Sequence, residues 1–489
     1  MLRTRQHWVA IGWLLVATPL ASAQTLNDPT LAVAEVVSGL SAPTAMAFIG
    51  PNDILVLQKS DGWVRRVLNG VLQPGLVLDV AVDQTSERGL LGIALHPAFP
   101  VTPWAHLYYT ESSNGADTFN SPPPLGNRIY RFRWDGTALV EPTLLLHLPA
   151  LPGPNHDGGA ITFGPDGKLY AVIGDLNHRG QLQNLPAGPA ADDTSVIVRL
   201  NGDGTVPSDN PFFQQGGNLA KYYAYGIRNS FGLAFDPVTQ KLWMSENGPA
   251  AYDEINLIEP GSNSGWVPIM GPVARSPQGL DELFQLPGSF YTDPKFSWLD
   301  TVAPTALVFL NSSRLGEQYH NDLFVGDINF GNLYRFRPTP TRDGVHLEHP
   351  GLSDLVADTP DEVQDVLFGS GFGGITDLKV GPDGRLYILS FQGKIFAVSQ
   401  QPATLEGTVT DPGSGAALNG VLVRGRSIDP PSSLPLYTRT DASGVYTLSQ
   451  LNPGRYRVFF VLNGHRIRWQ TVQVQPGETT TLNVQLPTR

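Results

Sequence analysis

The chain contains no cysteine among its 489 residues. Disulfide bridges, thiol nucleophiles and cysteine-ligated zinc are therefore excluded from the outset. Charge is scarce too, at 16% Asp, Glu, Lys and Arg, and it leans acidic, with 44 carboxylates against 32 basic side chains. Phosphate backbones are bound by basic surfaces, so nucleic acid is not expected as a partner. Beyond the first two dozen residues no apolar run is long enough to read as a membrane span. The metal-binding spacings His-x-His and His-Glu-x-x-His are missing as well.

Turn-forming residues, by contrast, are plentiful: 52 glycines and 42 prolines, well above ordinary usage. That composition argues against a helical bundle and for many short strands. A hydrophobic fraction of 41% argues against wholesale disorder. The length predicts one large domain with a smaller companion.

The N-terminus reads as an address. Arg3 and Arg5 precede an apolar run from Trp8 to Leu20, and Ala21-Ser22-Ala23 follows. This pattern predicts a secretory signal peptide over residues 1–23 and a periplasmic or secreted mature protein.

Most of the remaining chain repeats one unit: an alternating apolar strand, a turn rich in Gly, Pro and Asp, and a second strand with aromatics. Copies begin at Ala45, Ile93, Ala160, Leu233, Ala306 and Asp377. Period-two alternation around such a turn marks a hairpin, and a hairpin cannot bury its own face. Repeated hairpins must stack, and six of them predict an all-β, six-bladed β-propeller over residues 24–400. An array of β-sandwiches is the alternative. From about Thr404 the pattern changes to short strands with DPGSG, DASG and NPG turns. Residues 401–489 are expected to form a small seven-stranded β-sandwich.

The loops that enter the repeated first strands are topologically equivalent and should meet around one mouth. They place Glu87, Arg88, His156, Asp157, Arg228, Asn229 and Asp300 there. One histidine, two arginines and several carboxylates make a plausible acid/base site. His156 can also be a turn histidine, and Arg228 a tie between sheets. Asp192 and Asp193 read as a solvated turn, His96 as a turn residue, and His178 is ambiguous.

Over residues 33–399 the chain resembles the soluble quinoprotein glucose/sorbosone dehydrogenases, or aldose sugar dehydrogenases. The matching segments are RGLLGIALHPAF, HDGGAITFGPDGKLYAVIGD, YGIRNSFGLAFDP and SENGPAAYDEINLIEPGSNSGW. The resemblance implies a six-bladed propeller that binds pyrroloquinoline quinone (PQQ) with calcium and oxidises the C1 hydroxyl of aldose sugars to lactones. It makes His156 the general base, Asp175 its orienting partner, and Arg228 with Asn229 the hydrogen-bond donors to the quinone. Arg88 is a further cofactor contact, while Glu87 and Asp157 face the sugar. Calcium would be held by the carbonyls of Gly248 and Pro249, and a structural calcium by Glu254. The electron acceptor is left open. Asp253 and Glu254 can alternatively be an exposed charge pair at a strand start.

Three positions depart from the family pattern. Asn329 stands where a lysine is expected, and Gly374 and Thr376 where two arginines are expected. Losing cations opposite three cofactor carboxylates is expected to weaken PQQ binding. A calcium-dependent, lactonase-like hydrolase and a non-catalytic glycan-binding propeller are the alternative functions. The tail resembles the carboxypeptidase regulatory-like module through GTVTD, TDASGVYTL and NPGRYRV. That implies a contact with the cell envelope or a glycan rather than catalysis.

Overall fold

The computed structural model describes residues 24–429 and 435–489. The expected signal peptide lies outside the described residues. The described chain is mostly β, with a single short α-helix at Pro360–Val366. No helix among the described residues is long and apolar enough to cross a membrane.

All six repeats form antiparallel hairpins. They pair Pro43–Gly50 with Asp53–Gln58, Leu90–Leu95 with Trp104–Glu111, and Ile161–Phe163 with Leu169–Ile173. They continue with Gly232–Phe235 and Leu242–Glu246, Pro304–Phe309 and Leu323–Asp327, and Ile375–Val380 and Leu386–Ser390. The turn chemistry explains the repeat. In both Gly-Pro-Asp-Gly turns the aspartate accepts from the backbone N–H two residues on, Asp166 from Lys168 and Asp383 from Arg385, each at 3.1 Å. The closing glycines, Gly167 and Gly384, sit at φ of 72° and 78°, where a side chain would be strained.

Each hairpin grows outward into a separate sheet of four to six strands. The first strands of the six sheets neighbour one another in chain order, and the sixth returns to the first. Polar side chains on the first two strands of the sheets tie neighbouring sheets together. Thr44 Oγ1 donates to Leu90 O, Ser245 Oγ to Thr305 O, Thr305 Oγ1 to Ile375 O and Thr376 Oγ1 to Pro43 O. Apolar clusters fill the space between successive sheets. The ring is sealed by the chain's own start: Leu31–Val37 pairs with Lys394–Gln400 in the sixth sheet.

Two residues, Gln401 and Pro402, then lead to Ala403–Thr410, the first strand of a separate unit. Among the described residues its eight strands form two four-stranded sheets around one apolar core that includes Tyr446, Val458 and Phe460. Eight strands rather than seven arise because the last segment splits into Thr479–Thr481 and Val484–Gln485.

Candidate active site

A cavity of about 510 Å³ opens on the axis of the ring and is lined from all six first strands. His156, Arg228, Asn229 and Glu87 lie on its surface, together with Gly248 and Asp253. His156 adopts φ of 66° in the loop before the third sheet. Its N–H donates to Glu87 Oε2 at 2.5 Å, and Asn229 Nδ2 reaches the same oxygen at 3.2 Å. Glu87 thus links loops from the second, third and fourth sheets.

The His156 ring is oriented from behind. Its Nδ1 lies 2.5 Å from Asp175 Oδ1, and Trp266 Nε1 donates to Asp175 Oδ2 at 2.7 Å. A carboxylate accepts only, so Nδ1 carries the proton and Nε2 is left as the basic nitrogen. Gly174 makes this approach possible: a Cβ there would lie 2.3 Å from Arg228 O and 2.7 Å from His156 O. The backbone completes the clamp, since Gly174 N donates to His156 O and Asp175 N to Arg228 O.

Arg228 is fixed at three points. Its backbone N–H donates to Glu246 Oε1 at 2.7 Å, and its Nη1 donates to the carbonyls of Asn247 and Gly248 at 2.8 and 3.0 Å. Its guanidinium lies over the Trp266 ring, 5.3 Å from the centroid. Burial pulls its pKa below the ordinary value despite the nearby carboxylates. Three buried polar atoms at this wall have no protein partner: Arg228 Nε, Asn229 Oδ1 and Asn247 Oδ1. Buried polar groups are normally satisfied, so these point to a polar ligand or ordered water.

Several expected residues fall elsewhere. Arg88 does not line the cavity. Its Nη2 donates to the carbonyls of Ala150 and Gly153, and the guanidinium sits 3.7 Å from both Asp83 and Asp157. It is therefore a tie between loops rather than a cofactor contact. Asp157 is fully buried and turned away from the cavity, accepting from Asn127 Nδ2 at 2.9 Å. Burial pushes its carboxyl up to about 7, against the opposing pull of the Asn127 hydrogen bond and the Arg88 charge. It cannot face a sugar from there. Pro249 and Asp300 are exposed and outside the cavity lining.

Asp253 and Glu254 are not an exposed pair: they are 1% and 2% exposed. Asp253 accepts from the backbone N–H groups of Gly248, Val302 and Ala303. Glu254 accepts from Gly271 N at 2.6 Å and shares Asn256 Nδ2 with Glu246. Burial raises the pKa of both glutamates. Away from the site, His178 pairs with Asp192 at 2.8 Å and Asp193 with Lys221 at 2.8 Å.

The opposite wall holds the three departures. Asn329 and Thr376 line the cavity beside Ile328 and Phe391, and Gly374 packs against both apolar residues. Three relevant residues went unread in the sequence. Trp266 orients Asp175 and covers Arg228; its signal was the NSGW motif. Lys59 and Lys379 add cations to the lining. Lys59 Nζ donates to Gln84 O at 3.3 Å, and burial lowers its pKa. Lys379 is paired with Asp377 at 2.8 Å. Single lysines at strand ends carry no local signature.

The structure thus defines a β protein built of a ring of sheets around an axial cavity, with an aspartate-oriented histidine and an arginine on its lining. Residues 40–396 match the glucose/sorbosone dehydrogenase family, and residues 404–487 the carboxypeptidase regulatory-like domain. The chain belongs to the glucose/sorbosone dehydrogenase family. Aldose sugar dehydrogenase YliI of Escherichia coli is 28% identical over 391 residues, 78% of this chain and 96% of that protein. Quinoprotein glucose dehydrogenase B of Acinetobacter calcoaceticus is 33% identical over 255 residues, 48% of this chain and 52% of that protein. The apo structure of the soluble E. coli aldose sugar dehydrogenase is 26% identical with a TM-score of 0.59, covering 76% of this chain and 100% of its own.

Proposed function

We propose that this protein is a PQQ-dependent sugar dehydrogenase that oxidises the C1 hydroxyl of an aldose to a lactone. The six sheets are read as the blades of a six-bladed propeller, and residues 403–485 as a β-sandwich. The pattern of residues 1–23 supports export to the periplasm or beyond. The observation that carries the activity is the Trp266–Asp175–His156 relay, whose basic nitrogen is left free at a cavity also lined by Arg228 and Asn229.

The cavity volume and the unpartnered Arg228 Nε, Asn229 Oδ1 and Asn247 Oδ1 fit a flat polar cofactor. Lys59, Arg228 and Asn229 would hold it. When bound, PQQ would supply the two-electron acceptor. His156 Nε2 takes the proton of the sugar C1 hydroxyl as the C1 hydrogen departs with its electron pair. Asp175 stabilises the imidazolium that forms, and holds the ring in the tautomer that the step requires. Arg228 faces the position where negative charge develops, fixed in advance by its carbonyl contacts and by Trp266.

Calcium enters the proposal through the hard-oxygen chemistry of Glu246 and Glu254, which are buried side by side; their oxygens accept from Asn256 Nδ2, Arg228 N and Gly271 N, and the ion would share or displace these donors. A cation binding only the native state raises the melting temperature. Saturating calcium is expected to raise it relative to chelator, and an unchanged midpoint would remove calcium from the proposal.

The test of the whole reading is a titration of apo-protein with PQQ in calcium buffer, followed by an aldose and a reducible dye. Saturable binding with aldose-dependent dye reduction is expected. Sugar binding without reduction would move the assignment to a non-catalytic propeller.

A further inference from the structure

The C-terminal unit differs in charge from everything before it. Residues 403–489 carry eight arginines and five carboxylates, a net of +3, whereas residues 24–402 carry 22 basic and 39 acidic side chains. The arginines are also placed differently. Ten arginines of the large domain lie within salt-bridge distance of a carboxylate. Among the described residues, none of the tail's arginine guanidiniums has an acidic side-chain partner.

They gather on one sheet face. The sheet is formed by Leu436–Arg439, Leu422–Asp429, Gly454–Val461 and Arg468–Val474, in that spatial order. Strand alternation turns Val423, Tyr456 and Val458 into the core. It turns Arg424, Arg426, Arg457 and Trp469 outward. The register sets Tyr437, Arg424, Phe459 and Trp469 opposite one another in a single row across four strands. In the next row Arg426 stands directly opposite Arg457. Tyr437 is 73% exposed and Trp469 55%, and the Arg457 guanidinium lies over the indole, 4.9 Å from its centroid.

This arrangement has a cost within the free protein. Like charges directly opposite across a strand pair are destabilising, and large exposed aromatics gain nothing from water. Both features become favourable against a ligand that offers flat apolar faces and negative charge together. We propose that this outer sheet face binds a linear acidic polysaccharide, one bearing carboxylates on pyranose rings. Strands are spaced by about 4.8 Å, so the four-residue row forms a straight track of roughly 14 Å, suited to an extended chain. The aromatic rings would take the sugar faces and Arg424, Arg426 and Arg457 the carboxylates. The strongly acidic remainder of the chain disfavours the denser charge of a nucleic acid. This proposal does not depend on the oxidative activity.

The test uses the full chain and affinity electrophoresis in gels containing polygalacturonate, neutral dextran, or single-stranded oligothymidine. Polygalacturonate is expected to retard the protein in a salt-sensitive manner, and dextran is not. Trp469→Ala and the double change Arg426→Gln with Arg457→Gln should each weaken the retardation at least tenfold. Arg426→Gln alone should leave the melting temperature unchanged or higher, since it relieves the like-charge contact. Tyr437→Ala, on the outermost strand of the sheet, repeats the aromatic test should Trp469→Ala lower the melting temperature. Three results would overturn the proposal: no retardation, retardation indifferent to both aromatic substitutions, or tighter binding of oligothymidine than of polygalacturonate.

Discussion

The two walls of the axial cavity are built to different standards. On one side His156, Asp175, Trp266, Arg228 and Asn229 hold one another through side-chain and backbone hydrogen bonds. On the other, Ile328 and Phe391 are each 37% exposed, and the Thr376 hydroxyl is directed at the carbonyls of Pro43 and Leu389 rather than at the cavity. Under the proposed function the first wall serves the reaction, since preorganised groups need not rearrange as charge develops. The second serves the scaffold, tying the sixth sheet to the first. The proposed function therefore expects reactivity and ligand anchoring to be separable, so that each can be perturbed alone.

The largest expected effect lies on the first wall. His156→Ala should lower kcat for aldose oxidation by roughly 10²–10⁴, the usual contribution of a positioned general base. PQQ affinity should change little, because the imidazole is not a charge anchor. A parallel loss of binding and turnover would show that the two functions are not separable. Asp175→Asn should cost up to about 10⁴-fold in kcat, since an amide can present its N–H to Nδ1 and favour the wrong tautomer. The acid limb of the rate profile should shift as well, which a merely structural change would not produce.

A smaller effect tests whether buried charge behind the first wall costs stability. Asp157, next to His156, has its carboxyl pushed up to about 7 by burial, against an ordinary value of 3.8. A folded pKa above the unfolded one means that the native state prefers the proton. The stability it confers is complete below about pH 4 and is lost as pH rises through 7. Asp157→Asn cannot ionise, so its melting temperature should exceed that of the parent at pH 8, by the equivalent of roughly 1–4 kcal/mol. The difference should vanish near pH 4. Melting curves across that range decide it, and a constant difference would mean that the Asp157 carboxyl keeps its ordinary pKa in the folded protein.

Much of the fold was legible because hairpin chemistry is local. Turn-forming residues, with Gly-Pro-Asp-Gly in two of the six cases, and period-two alternation mark each pair of strands without reference to the rest of the chain. The reactive wall was legible through short motifs that carry His156, Asp175, Arg228 and Asn229. What escaped was decided by packing over long sequence distances. Arg88 and Asp157 sit beside Glu87 and His156 in sequence, yet their side chains turn inward to Ala150, Gly153 and Asn127. Lys59 joins the cavity only because the first and second sheets meet there, with Leu90 N donating to Lys59 O at 3.0 Å. Asp253 and Glu254 look like a solvated pair in a polar stretch, and only the tertiary fold covers them.

The smallest expected effect is on the second wall, where charge can be restored. The lining cations are Lys59, Arg228 and Lys379, and they face Glu87, Asp253 and Asp377. Lys379 is already committed to Asp377, so the side of Asn329 and Thr376 offers no free positive charge to a polyanion. Asn329→Lys should tighten PQQ binding by about tenfold at low salt, the scale of one partly exposed charge-assisted contact. Salt should erode the gain, because a group at the cavity surface is screened. Thr376→Arg should add less, for it also removes the hydroxyl that ties the sixth sheet to Pro43 O. Titrations of both variants at two ionic strengths measure the separation of the walls directly. If affinity rises while kcat at saturating PQQ stays constant, anchoring and reaction are independent. If kcat rises with affinity, the second wall also positions the cofactor against His156, and the distinction between the walls fails.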